Sequence, residues 1–131
     1  MRLSAKAKEL IDGKNFASVA TLMQDGSPQV APLWIDREGD TIVLNSTRSR
    51  QRTQNLRRDP RVAITVFDQS NPYSNVSIRG KTIELTEEGA EEHIDKMSMK
   101  YLGRPYLYED PTPKYPRVLI RVEAEHIHEE M

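Results

Sequence analysis

The chain has 131 residues, of which 37% are hydrophobic and 30% charged, with a formal net charge of −1 and no cysteine. This length fits one domain, and we predict a single domain over residues 1–131. The absence of cysteine excludes disulfides, thiolate metal sites and a cysteine nucleophile, and the balanced charge disfavours nucleic acid and anionic membranes as partners. The sequence contains neither a signal peptide nor a long apolar span, so we expect a cytoplasmic protein.

The first third of the chain predicts one helix followed by three strands. Ser4 is a good N-cap residue for a helix over 4–13, and Gly13 can end it. Runs of β-branched and small residues predict strands over 16–22, 29–36 and 41–45, separated by glycine-containing turns, and we expect these three strands to form a meander. Pro32 cannot donate to a sheet ladder, so its position predicts an edge, a bulge or a backbone that faces a ligand.

The rest of the chain predicts two helices and three or four strands. A polar helix over 47–59 leads to a strand over 61–67, a loop over 71–73, and a long strand over 74–85 with a bulge at Gly80. Thr86 is the predicted N-cap of a helix that ends near Leu102, followed by a loop over 104–116. A strand over 117–122 comes next, and 123–128 continues it or pairs with it. Six or seven antiparallel strands with helices at the crossovers indicate a mainly β fold, a closed or nearly closed barrel.

The segment 45–61 carries the chemistry, because it holds six arginines and no lysine and joins the end of a strand to the start of a helix. A helix N-terminus attracts phosphate, and the arginine fork matches phosphate oxygens two at a time. We therefore interpret Arg48, Arg50 and Arg52 as a site for one phosphoryl group. The alternative is a solvated basic helix face, and for the arginines at 57, 58 and 61 we prefer surface ion pairing.

Several short motifs occur in one order along nearly the whole chain. They are Asp25-Gly26-Ser27-Pro28, Pro32-Leu33-Trp34-Ile35-Asp36, Asn45-Ser46-Thr47-Arg48-Ser49-Arg50-Gln51-Arg52, Asn55-Leu56-Arg57-Arg58-Asp59-Pro60-Arg61-Val62, Asn71-Pro72-Tyr73, Val76-Ser77-Ile78-Arg79-Gly80 and Arg121-Val122-Glu123-Ala124-Glu125. In this order the chain resembles the pyridoxamine 5′-phosphate oxidase superfamily of FMN-binding split β-barrels. Within that superfamily it resembles the branch of probable oxidoreductases that use the deazaflavin coenzyme F420.

The resemblance implies a homodimer with two cofactor sites at its interface. It places the ring system along the second strand and the phosphate on Arg50 and Arg52, whereas family members commonly carry lysine at the position of Arg52. Tyr73 would reach the site of the partner subunit. The residues that the resemblance assigns to cofactor binding are Val30, Ala31, Pro32, Leu33, Trp34, Asn45, Ser46, Thr47, Arg48, Arg50, Gln51, Arg52, Asn55 and Tyr73.

From the resemblance we expect an oxidoreductase that transfers hydride between reduced F420 and a small organic substrate. The alternatives are an FMN-dependent oxidase or reductase and a carrier of flavin or haem that does not turn over. Such chemistry resides in the cofactor, which fits a sequence without a catalytic triad or a dedicated general acid. We predict no metal site, since His126 and His128 are better explained as a frayed, solvated C-terminus. Trp34 has an alternative role as a core or interface aromatic.

Overall fold

The computed structural model describes residues 1–107 and 116–130. Most of the predicted loop 104–116 lies outside these residues. No helix among the described residues is long and apolar enough to cross a membrane. The elements are, in chain order, α1 (Ala5–Asp12), β1 (Ala17–Leu22), β2 (Pro28–Leu33), β3 (Ile35–Glu38), β4 (Thr41–Thr47), α2 (Gln51–Arg58), β5 (Arg61–Asp68), β6 (Asn71–Thr86), α3 (Ala90–Leu102) and β7 (Arg117–Glu130).

All seven strands belong to one antiparallel sheet in the order β2-β1-β5-β6-β7-β4-β3. Its two edge strands, β2 and β3, are separated in the chain by Trp34 alone. Because two residues on either side of a third are at most about 7 Å apart, the edges must approach each other at this point. The sheet therefore curls into a half-barrel, which confirms the prediction of a mainly β split barrel.

The inside of the curled sheet is the hydrophobic core. Alternate residues of the strands point inward, as the period of two requires. Helix α1 lies against β3, β5 and β6 and contributes apolar side chains to the same core. Fully buried members include Ile11, Val19, Ile64, Ile78 and Ile120.

The predicted meander is wrong. The predicted strand 29–36 is two strands, since β2 pairs with β1 whereas β3 pairs with β4 on the other edge. Tyr101 of α3 explains the break: its ring stacks on Trp34 with centroids 5.1 Å apart, and its hydroxyl accepts a hydrogen bond from the Ile35 backbone at 3.1 Å. The contact with Tyr101, which is distant in the chain, therefore replaces the sheet hydrogen bonds at the residue where they stop. Pro32 does lie on an edge strand, as predicted.

Three boundaries also differ from the prediction. The helix predicted from residue 47 begins at Gln51, and the predicted loop 71–73 is the start of β6. Helix α3 begins at Ala90 after Gly89, whose φ of 78° favours glycine. The Thr86 hydroxyl accepts from the Glu88 backbone instead, so it closes a turn before the helix. Gly103, with φ 72°, ends the helix as predicted.

Gly80 sits at a register shift between β6 and β7, which confirms the predicted bulge. A Cβ atom there would overlap the Glu123 carbonyl oxygen of the neighbouring strand. We therefore expect Gly80→Ala to lower the free energy of unfolding by about 3 kcal/mol, measured by urea denaturation. The control Gly39→Ala, in a turn with φ 62° and open space, should cost only about 1 kcal/mol. Equal losses at both glycines would contradict the close packing at the bulge.

Candidate anion-binding site

A pocket of about 280 Å³ lies between the break at Trp34 and the N-terminus of α2. Its lining combines an apolar wall with three guanidinium groups, and none of the described residues that line it is acidic. The lining residues are Phe16, Pro32, Leu33, Trp34, Asn45, Arg50, Arg52, Ile94, Tyr106 and Arg117. An apolar wall beside a few polar groups is typical of sites for small organic ligands, and three cations in the lining suit an anionic one.

Arg52 is the least satisfied of the three arginines. Its Nε is buried and has no hydrogen-bond partner. Burial, together with the positive charges of Arg50 and Arg117, lowers the pKa of the Arg52 guanidinium to about 10. A lowered pKa means that the fold disfavours the charged form, yet the side chain is still charged at neutral pH. An anion in the pocket would supply the missing partner.

Arg50 lies at the N-cap of α2, and no side chain caps this end of the helix. The first-turn N–H groups of a helix have no partner within the helix and carry partial positive charge. Arg50 itself is exposed and lines the pocket. The helix end would therefore favour an anion in the same pocket as the guanidinium groups.

Arg117 enters the pocket from β7. Its Nε donates to the Asn45 side-chain oxygen at 2.8 Å, and its guanidinium lies 5.5 Å from the centre of the Tyr106 ring. In the sheet, Arg117 is opposite Thr47 at the end of β4. This pairing brings it next to Arg50 and Arg52, which are more than sixty residues earlier in the chain.

Buried polar contacts fix the orientation of α2. The Thr53 hydroxyl donates to Ser46 Oγ of β4 at 3.0 Å, and Asn55 Nδ2 donates to Thr21 Oγ1 of β1 at 3.0 Å. All four side chains are buried. Unpaired polar groups in such places are costly, so the helix is held in the one position that satisfies them.

The structure places six of the predicted site residues at the pocket and directs the others elsewhere. The six are Pro32, Leu33, Trp34, Asn45, Arg50 and Arg52. Of the others, Ser46, Thr47 and Asn55 are buried. Ser46 and Asn55 use their side chains inside the protein, as described above, so a cofactor contact through the backbone of these residues stays a prediction.

Arg48 and Gln51 also have partners away from the pocket. Arg48 forms a two-pronged ion pair with Glu87 at 2.6 and 2.7 Å, and Gln51 donates to the Asn55 side chain at 2.9 Å. Arg48 therefore does not belong to the phosphate site in this structure. The reason is the Glu87 carboxylate, which lies in the turn before α3. The sequence around Arg48 does not predict this ion pair.

Val30 and Tyr73 are strongly exposed, at 66% and 77%. Ala31 packs against the core instead. None of the three lines the pocket, so their predicted contacts with the ring, including the contact of Tyr73 across a dimer, stay predictions. Trp34 stacks on Tyr101 and also lines the pocket, and its predicted contact with the ring system stays a prediction.

Sequence reasoning missed His93, which lies on α3. Its Nε2 lies 3.0 Å from Asp36 Oδ2, and its Nδ1 lies 3.0 Å from Asn45 Nδ2. Burial opposes ionisation of Asp36, but hydrogen bonds from His93, the Arg37 backbone and Lys96 outweigh it and lower the pKa of the carboxyl to about 2. Asp36 is thus a carboxylate at neutral pH.

A second, larger depression of about 390 Å³ lies between β1, β5, β6 and β7. Its arginines are Arg61, which pairs with Asp59, and Arg79. His126, on its rim, belongs to β7 and not to a frayed end, which corrects the prediction for the C-terminus. Over the described part of the chain, no three His, Asp or Glu side chains are grouped to hold a metal ion.

Comparison with known proteins places this site in context. A family model described as pyridoxamine 5′-phosphate oxidase matches residues 3–130. A solved structure named F420 reductase has 28% sequence identity and a TM-score of 0.81, over 92% of this chain and 94% of that one. A conserved hypothetical protein from Mycobacterium tuberculosis has 26% identity and a TM-score of 0.77, over 99% and 85%. A putative pyridoxamine 5′-phosphate oxidase from Listeria innocua shares the fold at 19% identity and a TM-score of 0.70, over 92% of each chain.

Replacement of Arg52 by methionine tests whether the pocket keeps a charge at the expense of stability. Methionine retains an apolar stem but removes the desolvated guanidinium, so we expect Arg52→Met to raise the melting temperature of the ligand-free protein by a few degrees. The same variant should lose the stabilisation that added phosphate gives the parent. Thermal melts with and without phosphate measure both effects.

The matched control is Arg57→Met, on the exposed side of the same helix. It should leave the phosphate effect unchanged. An Arg52→Met protein that is less stable without ligand and still stabilised by phosphate would contradict this description of the site.

Proposed function

The chain belongs to the pyridoxamine 5′-phosphate oxidase family, and from this premise we propose that it is an oxidoreductase that holds a flavin-type cofactor by its phosphate. We propose coenzyme F420 as that cofactor. The proposed reaction is hydride transfer between its reduced form and a small organic substrate.

One observation carries the proposal: Arg50, Arg52 and Arg117 line a single pocket in which Arg52 Nε is buried without a partner. A phosphate offers oxygens to several guanidinium groups at once. In a partly buried site, hydrogen bonds to charged groups contribute about 1.5–3 kcal/mol each. A phosphorylated ligand therefore fits the donor set better than a neutral one.

The pocket also fits the other half of such a cofactor. Pro32, Leu33, Trp34 and Ile94 give it an apolar wall that would exclude water from a ring system. When bound, the cofactor supplies the redox chemistry, and the protein binds it, orients it and restricts water. Arg50 and Arg52 are the residues that would hold its phosphate.

The choice of F420 over FMN rests on the solved structure named F420 reductase, with 28% identity and a TM-score of 0.81. An anionic cofactor tail would need basic residues outside the pocket, and few of the arginines there are available. Arg48 pairs with Glu87, and Arg58 donates to the Leu22 carbonyl, which leaves Arg57 as an exposed candidate for an anionic cofactor tail. FMN is the alternative, since its phosphate would use the same pocket. A carrier role without turnover is the other alternative.

We also propose that the protein acts as a homodimer. Large apolar side chains are exposed near the edge strand β2 and at the start of β6, among them Phe16, Val30 and Tyr73. Exposed apolar groups of this size often mark interfaces. A partner subunit over this region would cover them and restrict water near the pocket.

Titration of the purified protein with F420 and with FMN, followed by fluorescence, tests the proposal. We expect binding of F420 that is tighter than binding of FMN. Because Arg50→Ala with Arg52→Ala removes two charged hydrogen-bond donors, the double variant should lose at least about 100-fold in affinity.

The control for this titration is Arg61→Ala with Arg79→Ala, which removes the same charge from exposed positions outside the pocket. It should change affinity by less than about threefold at 0.15 M salt. Preference for FMN would select the alternative cofactor. Failure of the parent to bind either molecule, or equal affinity of the parent and the Arg50/Arg52 variant, would reject the proposed function.

A further inference from the structure

A line of hydrogen bonds runs from the edge strand β3 through α3 and β4 to the pocket. Asp36 Oδ2 lies 3.0 Å from His93 Nε2, and His93 Nδ1 lies 3.0 Å from Asn45 Nδ2. Asn45 Oδ1 then accepts from Arg117 Nε at 2.8 Å. Four residues from four elements are thus connected, and the last of them lines the pocket.

The partners of Asn45 determine which way its amide points. A guanidinium can only donate, so the atom that faces Arg117 is the amide oxygen. The Ala90 carbonyl can only accept, and it lies 2.9 Å from the amide nitrogen. Rotation of the amide by 180° would break both contacts, so the oxygen stays on Arg117 and the nitrogen stays on α3.

This orientation also determines the protonation of His93. Asn45 Nδ2 has two hydrogens, one for the Ala90 carbonyl and one for His93 Nδ1. His93 Nδ1 must therefore accept, and the proton of the neutral ring must be on Nε2, where it is donated to the Asp36 carboxylate. A proton added to Nδ1 would face an N–H group of Asn45 and break the line at its centre.

We propose that His93 is a positioning residue for the anion pocket, holding the Arg117 guanidinium in place through Asn45. This inference rests on the proposed function, because it concerns the affinity of the same pocket. It assigns His93 to the support of Arg117 through Asn45, which itself lines the pocket, and not to contact with the cofactor.

The charges around His93 come from several elements. Asp36 contacts the ring directly, and Lys96 donates to the same carboxylate oxygen at 3.2 Å. The groups to consider in any pH experiment are Asp36 and Glu38 on β3, Glu92, Lys96 and Lys100 on α3, and Arg117 and Arg121 on β7.

Substitution of His93 is the first part of the test, with FMN and F420 as probes and fluorescence as the readout. Glutamine, like neutral imidazole, offers one acceptor and one donor, so His93→Gln should bind the probe that the parent binds within about threefold at pH 8. His93→Ala should weaken that binding about fivefold to tenfold, because Asn45 and Asp36 each lose a partner. The exposed His128→Ala is the control and should not differ from the parent.

The pH dependence is the second part, and its sign separates positioning from simple electrostatics. We expect the dissociation constant of the parent to rise relative to that of His93→Gln in a series from pH 8 to pH 5, because a proton on His93 Nδ1 would break its contact with Asn45 and glutamine takes up no such proton. The titration of the ligand phosphate affects both proteins equally and cancels in this ratio. An added positive charge alone would instead tighten anion binding by the parent. A constant ratio, or one that changes in that opposite direction, would overturn the inference.

A measurement without any ligand distinguishes failure of this inference from failure of the proposed function. In the ¹⁵N spectrum of the ligand-free protein at pH 8, we expect the His93 ring to carry its proton on Nε2. The Arg117 Nε–H should be protected from solvent exchange in the parent and lose protection in His93→Ala. A ring with its proton on Nδ1, or an unaltered Arg117 signal, would overturn the inference whether or not a cofactor binds. If these signals are as expected but the parent binds neither probe, only the proposed function fails.

Discussion

The pocket is defined by one desolvated positive charge, that of Arg52, beside the guanidinium groups of Arg50 and Arg117. Arg50, Arg52 and Arg117 are brought to the same place without a carboxylate among the described residues that line it. Other arginines face carboxylates, as Arg48 with Glu87 and Arg37 with Asp12 show. The buried Arg52 guanidinium, whose Nε has no hydrogen-bond partner, destabilises the ligand-free fold, and an anion that satisfies it offsets that cost. This difference between the pocket and the rest of the surface is the reason to regard it as functional.

The half-barrel maintains this arrangement through long-range contacts. The pairing of β4 with β7 places Arg117 beside the start of α2, and the curl of the sheet brings Trp34 and its apolar neighbours to the opposite wall. Buried side chains of Ser46 and Asn55 then fix α2 by hydrogen bonds to Thr53 and Thr21. These polar residues near the site therefore form hydrogen bonds within the protein. The position of α2 that they fix determines where the arginines lie.

Local patterns in the sequence predict most strands, the first helix, the Gly80 bulge and the arginines at 50 and 52, because these features depend on side chains close together in the chain. The connections of the strands were not predictable in this way. The division of the predicted strand 29–36 depends on Tyr101, which lies on α3, and the roles of Arg117 and His93 depend on pairing across the sheet. Arg48 was predicted at the phosphate site for the same local reasons, but its ion-pair partner Glu87 is far along the chain and holds it elsewhere. Residues that gain their role from a distant neighbour are the ones that a single sequence conceals.

The central claim is that the pocket between β4, α2 and β7 binds a phosphate group, and a crystal structure with a saturating flavin-type cofactor tests it most directly. We predict electron density for a phosphate within hydrogen-bond distance of Arg50 and of the Arg52 Nε. A cofactor whose phosphate lies at another position, with these arginines still facing an empty pocket, would contradict the account.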